Sequence, residues 1–199
     1  MNTKSHELFV REYLDIVDAV YGVYLDSTLG FKKIRDSFEE NQKQGLIMLR
    51  KQGNNIGLED LDKARIFYGK GNPNLPESYT LHVTTQAEYK KRNEEGGENY
   101  RTIGILCLVQ IYQFWEDHYR DKIAQALGVD RNELKSDIMG DLRLFRNSII
   151  HHRGIAQKDI EKCKLLKWFR HNDKIFIQKD EFELMVFYVK TEMKALSSL

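Results

Sequence analysis

The side chains best suited to chemistry are gathered in one stretch, Ser136 to Gly154, reading SDIMGDLRLFRNSIIHHRG. Arg143, Arg146, Asn147, His151, His152 and Arg153 all fall inside it. Histidine titrates near neutrality and can give or take a proton. Arginine offers a planar cationic fork to non-bridging phosphate oxygens. Cleaving RNA without a metal needs a base for the 2′-hydroxyl, an acid for the leaving 5′-oxygen and a cation on the phosphorane. One chain holds one such set, and two chains related by a two-fold axis hold two.

A helix must position these groups. At about 100° per residue, Ile138, Leu142, Phe145 and Ile149 fall in a narrow arc that predicts a core stripe. His152 continues the arc and is expected at the core edge, bonded to a carbonyl. His151 points away from it, one turn beyond Asn147, and is the more available of the two histidines. Arg143, Asn147 and Ile150 face roughly opposite the stripe, with Arg146 and Met139 toward its flank. A charged, amide-bearing face with apolar residues inside it is often an interface, and a symmetric copy would bring both sets of Arg and His into one cleft.

Charge around the stretch favours a polyanion. From Leu142 to Lys174 nine basic residues stand against three acids, a local balance of +6 in a chain of net charge +1. Arg143, Arg153, Lys158 and Lys162 in or beside this run are the expected RNA contacts, with salt-sensitive binding. Trp168, Phe169 and His171 can stack on bases, although Trp168 and Phe169 are more simply core residues. A metal-dependent mechanism is disfavoured, since there is no HExxH, no carboxylate pair near the histidines and no cysteine cluster. No cofactor is expected. Cys107 and Cys163 read as isolated buried thiols.

With 199 residues, two prolines, 41% hydrophobic and 31% charged residues, the composition suits one helix-rich domain. No run of about 18 apolar residues occurs, so no membrane span is expected. The first twenty residues lack a signal peptide's uninterrupted apolar run, and the expected location is cytoplasmic. Phe9, Tyr13, Ile16, Val17, Val20 and Tyr24 predict a first amphipathic helix. Ser27, Thr28 and Gly30 then read as a break before a second helix to about Lys43. An insertion at about 52–97 holds both prolines, and its ARIFYG and SYTLHVTT pieces predict a small hairpin. From Tyr100 to Leu127 runs a long core helix, with Ile105, Leu108, Tyr112, Trp115, Tyr119, Ile123 and Ala126 expected on one face, closed by Gly128. Its Glu116 sits at the stripe's edge beside Tyr112, where a buried acid needs a partner. A second hairpin at about 166–178 is expected around the HND turn between WF and IFI. In a last helix Leu184, Phe187, Tyr188 and Met193 are expected to face inward.

RNSIIH, Arg146 to His151, resembles the R-x4-6-H signature of the HEPN superfamily, including the polar residue that nuclease members carry after the arginine. The FWEDHYR-like helix, a short connection, DLRLFRNSIIHHRG and the WF…IFI segment are similar to bacterial HEPN proteins of the RiboL-PSP-associated kind, over about Tyr100 to the C-terminus. The resemblance implies a mainly α fold, an up-and-down helical bundle with one or two small hairpin excursions. It implies a metal-independent endoribonuclease whose site is completed across a homodimer, in a toxin or antiphage-defence setting with a possible antitoxin or defence partner. His151 would be the general acid or base, Arg146 the transition-state cation and Asn147 a hydrogen-bond orienter, with Glu116 fixing Arg146 or a histidine. The alternative is a non-catalytic HEPN-like module that binds nucleic acid, nucleotide or protein.

Overall fold

The computed structural model describes residues 4–72 and 75–198. The protein is mainly helical, with one small two-stranded antiparallel sheet. Among the described residues no helix is long and apolar enough to cross a membrane. Two compact units are present, one formed by the chain up to Ser27 together with Arg101 onward, the other by Thr28–Tyr100. The insertion expected at 52–97 is therefore part of a larger unit that begins inside the first helix.

That helix, α1 (Lys4–Lys51), is continuous where a break was expected at Ser27–Gly30. Val10, Tyr13, Val17, Val20 and Tyr24 are buried at three- and four-residue steps. The same rhythm carries on through Phe31, Phe38 and Gln42, so the stripe outlasts the Ser-Thr-Leu-Gly punctuation. Phe31 meets the Tyr100 ring and Phe38 the Tyr89 ring, and the Tyr100 hydroxyl donates to the Thr28 carbonyl at 2.9 Å. A helical glycine costs only about 1 kcal/mol against alanine, which two ring contacts offset.

In the first unit α1 packs with α4 (Glu98–Phe114), a π turn (Trp115–Tyr119), α5 (Arg120–Leu127), α6 (Asp137–His151) and α7 (Lys179–Ser197). The buried Tyr13 hydroxyl donates to the Ile111 carbonyl at 3.1 Å, and its ring lies against Trp115 and Tyr119. The Tyr24 ring stacks on Phe182 with centroids 4.1 Å apart. Gly104 is needed where α4 passes Ile177, because a β-carbon there would stand 3.0 Å from the Ile177 carbonyl oxygen. The expected long helix is interrupted by the π turn, whose Arg120 N–H donates to the Trp115 carbonyl. An extra residue per turn rotates the stripe, so that Ile123 and Ala124 are buried rather than Ala126. Gly128, at φ 73°, closes α5 as expected.

Two expectations for the C-terminal third are corrected. No hairpin joins WF to IFI. Instead Lys174 bridges to Ile155, with the Ala156 N–H on the Asp173 carbonyl at 2.8 Å and the Ile175 N–H on the Gly154 carbonyl at 2.7 Å. Trp168 and Phe169 are occupied otherwise, their rings against Phe145 of α6. In α7 the inward residues are Phe182, Met185, Val186, Val189 and Met193. Leu184 and Phe187 are exposed. Met193 is as expected and Tyr188 is partly buried against the core, while the rest of the stripe starts from the stacked Phe182.

In the second unit α2 (Leu58–Lys63) leads to the expected hairpin, β1 (Arg65–Lys70) and β2 (Tyr79–Thr85), then α3 (Gln86–Arg92). Phe67 pairs with Val83, and a bulge follows Tyr68. Pro73 and Asn74 of the connecting turn lie outside the described residues. Buried Gln42 donates to Asp62 at 2.8 Å and Gln86 at 2.9 Å and accepts from Lys90 at 3.0 Å, and Lys90 also pairs with Asp62 at 2.6 Å.

Candidate active site

Helix α6 is built as its sequence directs. The Ser136 hydroxyl accepts the Met139 N–H at 3.1 Å and caps its start. Ile138, Leu142 and Phe145 are fully buried. Met139 joins them in the core, near the Tyr13 hydroxyl, instead of lying on the flank. Ser148 is also buried. Its carbonyl accepts the N–H of both His152 and Gly154, and its hydroxyl accepts the Gln157 N–H at 3.3 Å. A serine inside the motif thus ties down the helix end.

The chain leaves α6 through Arg153 at φ 55° and Gly154 at φ 77°. Arg153 occupies the left-handed region at a cost of roughly 1–2 kcal/mol. This exit overturns the core-edge reading of His152. The helix ends at His151, His152 sits at φ −126° and ψ 25°, outside the helical region, and is exposed. Helical periodicity does not apply to a residue that has already left the helix.

His151 lies on the solvent side with Asn147 and Ile150. One guanidinium nitrogen of Arg146, Nη1, lies 3.0 Å from His151 Nε2 and 3.3 Å from Asn147 Oδ1. A guanidinium only donates, so the contact is a hydrogen bond in the tautomer whose Nε2 can accept. The Arg146 Nε is buried with no hydrogen-bond partner among the described residues. Three of the four residues expected to share the chemistry, Arg146, Asn147 and His151, are therefore together on the outer side of α6.

Glu116 is not with them. Its carboxylate accepts from Arg131 at 2.8 Å and Arg120 at 3.3 Å, and Arg131 also reaches the Glu116 carbonyl and Asp121. The acid did need a partner, but Arg131, in the loop after α5, supplies it. The expected RNA contacts are dispersed around α6 and its exit. Arg143, Arg153 and Lys158 are exposed with no ion pair among the described residues, while Lys162 pairs with Asp159 at 2.6 Å.

Asp141 was missed. This buried carboxylate on α6 accepts the backbone N–H of Lys164 at 2.8 Å, Leu165 at 2.7 Å and Leu166 at 2.8 Å, holding the basic segment after the 3-10 turn (Lys158–Lys162) against the helix. Burial first, and then Asp141, push the neighbouring Cys163 thiol up to about 12. Its signal was present in sequence, since Asp141 is three residues after Ile138 and four before Phe145, on the inward arc.

No family model matches the chain, and comparison with curated proteins and with solved structures finds no match. Fold and site by themselves define a mainly helical protein with an Arg–His pair on an exposed helix face.

Proposed function

We propose that this chain is a metal-independent endoribonuclease of HEPN type, cleaving RNA as a homodimer by attack of the 2′-hydroxyl. The observation that carries the reading is the 3.0 Å contact between Arg146 and His151 on an open face. The pair sets a guanidinium, suited to non-bridging phosphate oxygens, beside an imidazole, a group suited to proton transfer. Asn147, at 3.3 Å from the same guanidinium nitrogen, orients it. A single pair handles one proton transfer at a time. Arrangement of two α6 helices about a two-fold axis supplies a second His151 for the leaving oxygen, and exposed Ile150 on that face gives the contact an apolar element.

Purified protein incubated with RNA in excess chelator should yield 2′,3′-cyclic phosphate or 3′-phosphate ends. His151→Ala and Arg146→Ala should abolish cleavage while remaining folded dimers by ultracentrifugation. Equal cleavage by the variants removes the pair from the chemistry. Loss of cleavage on adding chelator refutes the metal-free mechanism. Binding of RNA without cleavage turns the reading to a non-catalytic module.

A further inference from the structure

Next to the Arg–His pair, and not lined by it, is a cleft of about 390 Å³ between the α4–α5 junction and the first turns of α6. That volume falls in the range of small-molecule sites. Its charged lining consists of Arg120, Lys135, Arg143, Lys162 and Lys164 against Glu116, Asp137 and Asp141.

The acids are all committed. Glu116 is held by Arg131 and Arg120, Asp137 by Lys164 at 2.6 Å, and Asp141 by three backbone N–H groups. Among the cations, Lys135 and Arg143 have no ion-pair partner among the described residues. Among the described residues Lys162 is tied only to Asp159, in a pair with both side chains mostly exposed, a contact worth little and easily exchanged. The cleft therefore has a surplus of unpaired positive charge, while its carboxylates are all engaged, Glu116 and Asp137 by cations and Asp141 by backbone N–H groups. Tyr112, nearly buried, forms part of the wall. Its phenol is raised by burial and then by Glu116, and lowered by the charges of Arg143, Arg120 and Arg146.

We infer that this cleft is a phosphate-binding site for an ester of nucleotide size, with Arg143 and Lys135 as the principal cations and Lys162 as a third. A fork and a point charge suit a tetrahedral anion. The exposed Asn132 amide at the rim can meet a base edge. The phosphate can belong to a free nucleotide or to a strand of RNA lying across α6. The inference stands on the cleft alone and survives if Arg146 and His151 prove not to be catalytic.

The test uses Trp168→Phe protein, in which Trp115, on the cleft wall, is the remaining indole. Its fluorescence is titrated with inorganic phosphate, adenosine 5′-monophosphate and a twelve-residue oligouridylate at low salt. At least one probe should bind, and Arg143→Gln/Lys135→Gln should weaken it tenfold or more. Lys194→Gln, an exposed cation of α7 away from the cleft lining, should bind as the parent. Arg143 and Lys135 are exposed and unpaired, so the variant should fold; Lys162→Gln is the second variant, expected to weaken binding several-fold. Displacement of the oligouridylate by the mononucleotide identifies a free nucleotide as an occupant. Strand binding that the mononucleotide cannot displace identifies the strand. Binding of none of the probes at millimolar concentration, or equal binding by parent and double variant, overturns the inference.

Discussion

Replacing Asp141 tests how the basic segment is held to the motif helix. Asp141→Ala removes the acceptor of three backbone N–H groups. The Leu166 donor is buried, so stranding it carries the full penalty of about 1–3 kcal/mol. Lys164 and Leu165 are exposed residues whose donors recover part of their hydration, and together they add about 1 kcal/mol on the same scale. The expected loss is about 3 kcal/mol. Taking a urea slope of about 2 kcal/mol/M, the unfolding midpoint should fall by about 1.5 M. Tryptophan fluorescence reads the relevant unit, since Trp115 and Trp168 both lie in it. Asp141→Asn keeps one oxygen for Leu165 and Leu166 but turns an amide N–H₂ toward the Lys164 N–H. It should fall between wild type and Asp141→Ala. A midpoint for Asp141→Ala within about 0.3 M of wild type would refute the reasoning. Asn as harmful as Ala would put the effect in the carboxylate charge instead of the number of acceptors.

The thiols of Cys107 and Cys163, pushed by burial to about 11 and about 12, should resist Ellman's reagent in native protein at pH 8. Both should react once the chain is unfolded, and rapid native labelling would contradict their burial. Arg153→Gly relieves a left-handed backbone and should raise stability by about 1 kcal/mol in thermal melts, while removing a cation from the helix exit and weakening RNA binding. A loss of stability would mean that the side chain holds that turn. Asp62 is held below the usual carboxylate range, chiefly by its bond to Lys90 and also by Gln42. Its contribution is therefore complete above the unfolded value of about 3.9 and lost as pH falls through the lower folded value. Hydrogen exchange in α3 should show a steeper acid limb below about pH 4 than in Asp62→Asn, and identical limbs would exclude the pair as the cause.

What could be read from the sequence was periodic. The buried face of α6, the Gly128 cap and the β1–β2 hairpin all follow from local spacing and turn residues, and the structure has each of them. Errors arise where periodicity stops or slips. His152 was placed by extending a helix one residue past its end. Ala126 was placed by a wheel that the π turn rotates. Leu184 and Phe187 were placed inward because an apolar-rich helix admits more than one stripe, and Tyr24 stacking on Phe182 selects another. A contact between residues 158 positions apart has no local signature.

The acids show the same limit from the other side. Burial of a carboxylate demands donors, so a need for partners was visible for Glu116 and available for Asp141 from its place on the inward arc. Which donors answer it depends on loops, and loops carry no repeat. Arg131 comes from the connection after α5, and the Asp141 donors come from the segment after the 3-10 turn. This matters for the chemistry proposed at α6. With Glu116 engaged by Arg131 and Arg120, no carboxylate pairs with Arg146 among the described residues, and only His151 and Asn147 meet its Nη1. A salt-bridged Arg146 would have to give up an acid before meeting a phosphate. Here its charge is uncompensated, so a phosphate arriving beside His151 finds a cation with no competing anion to displace.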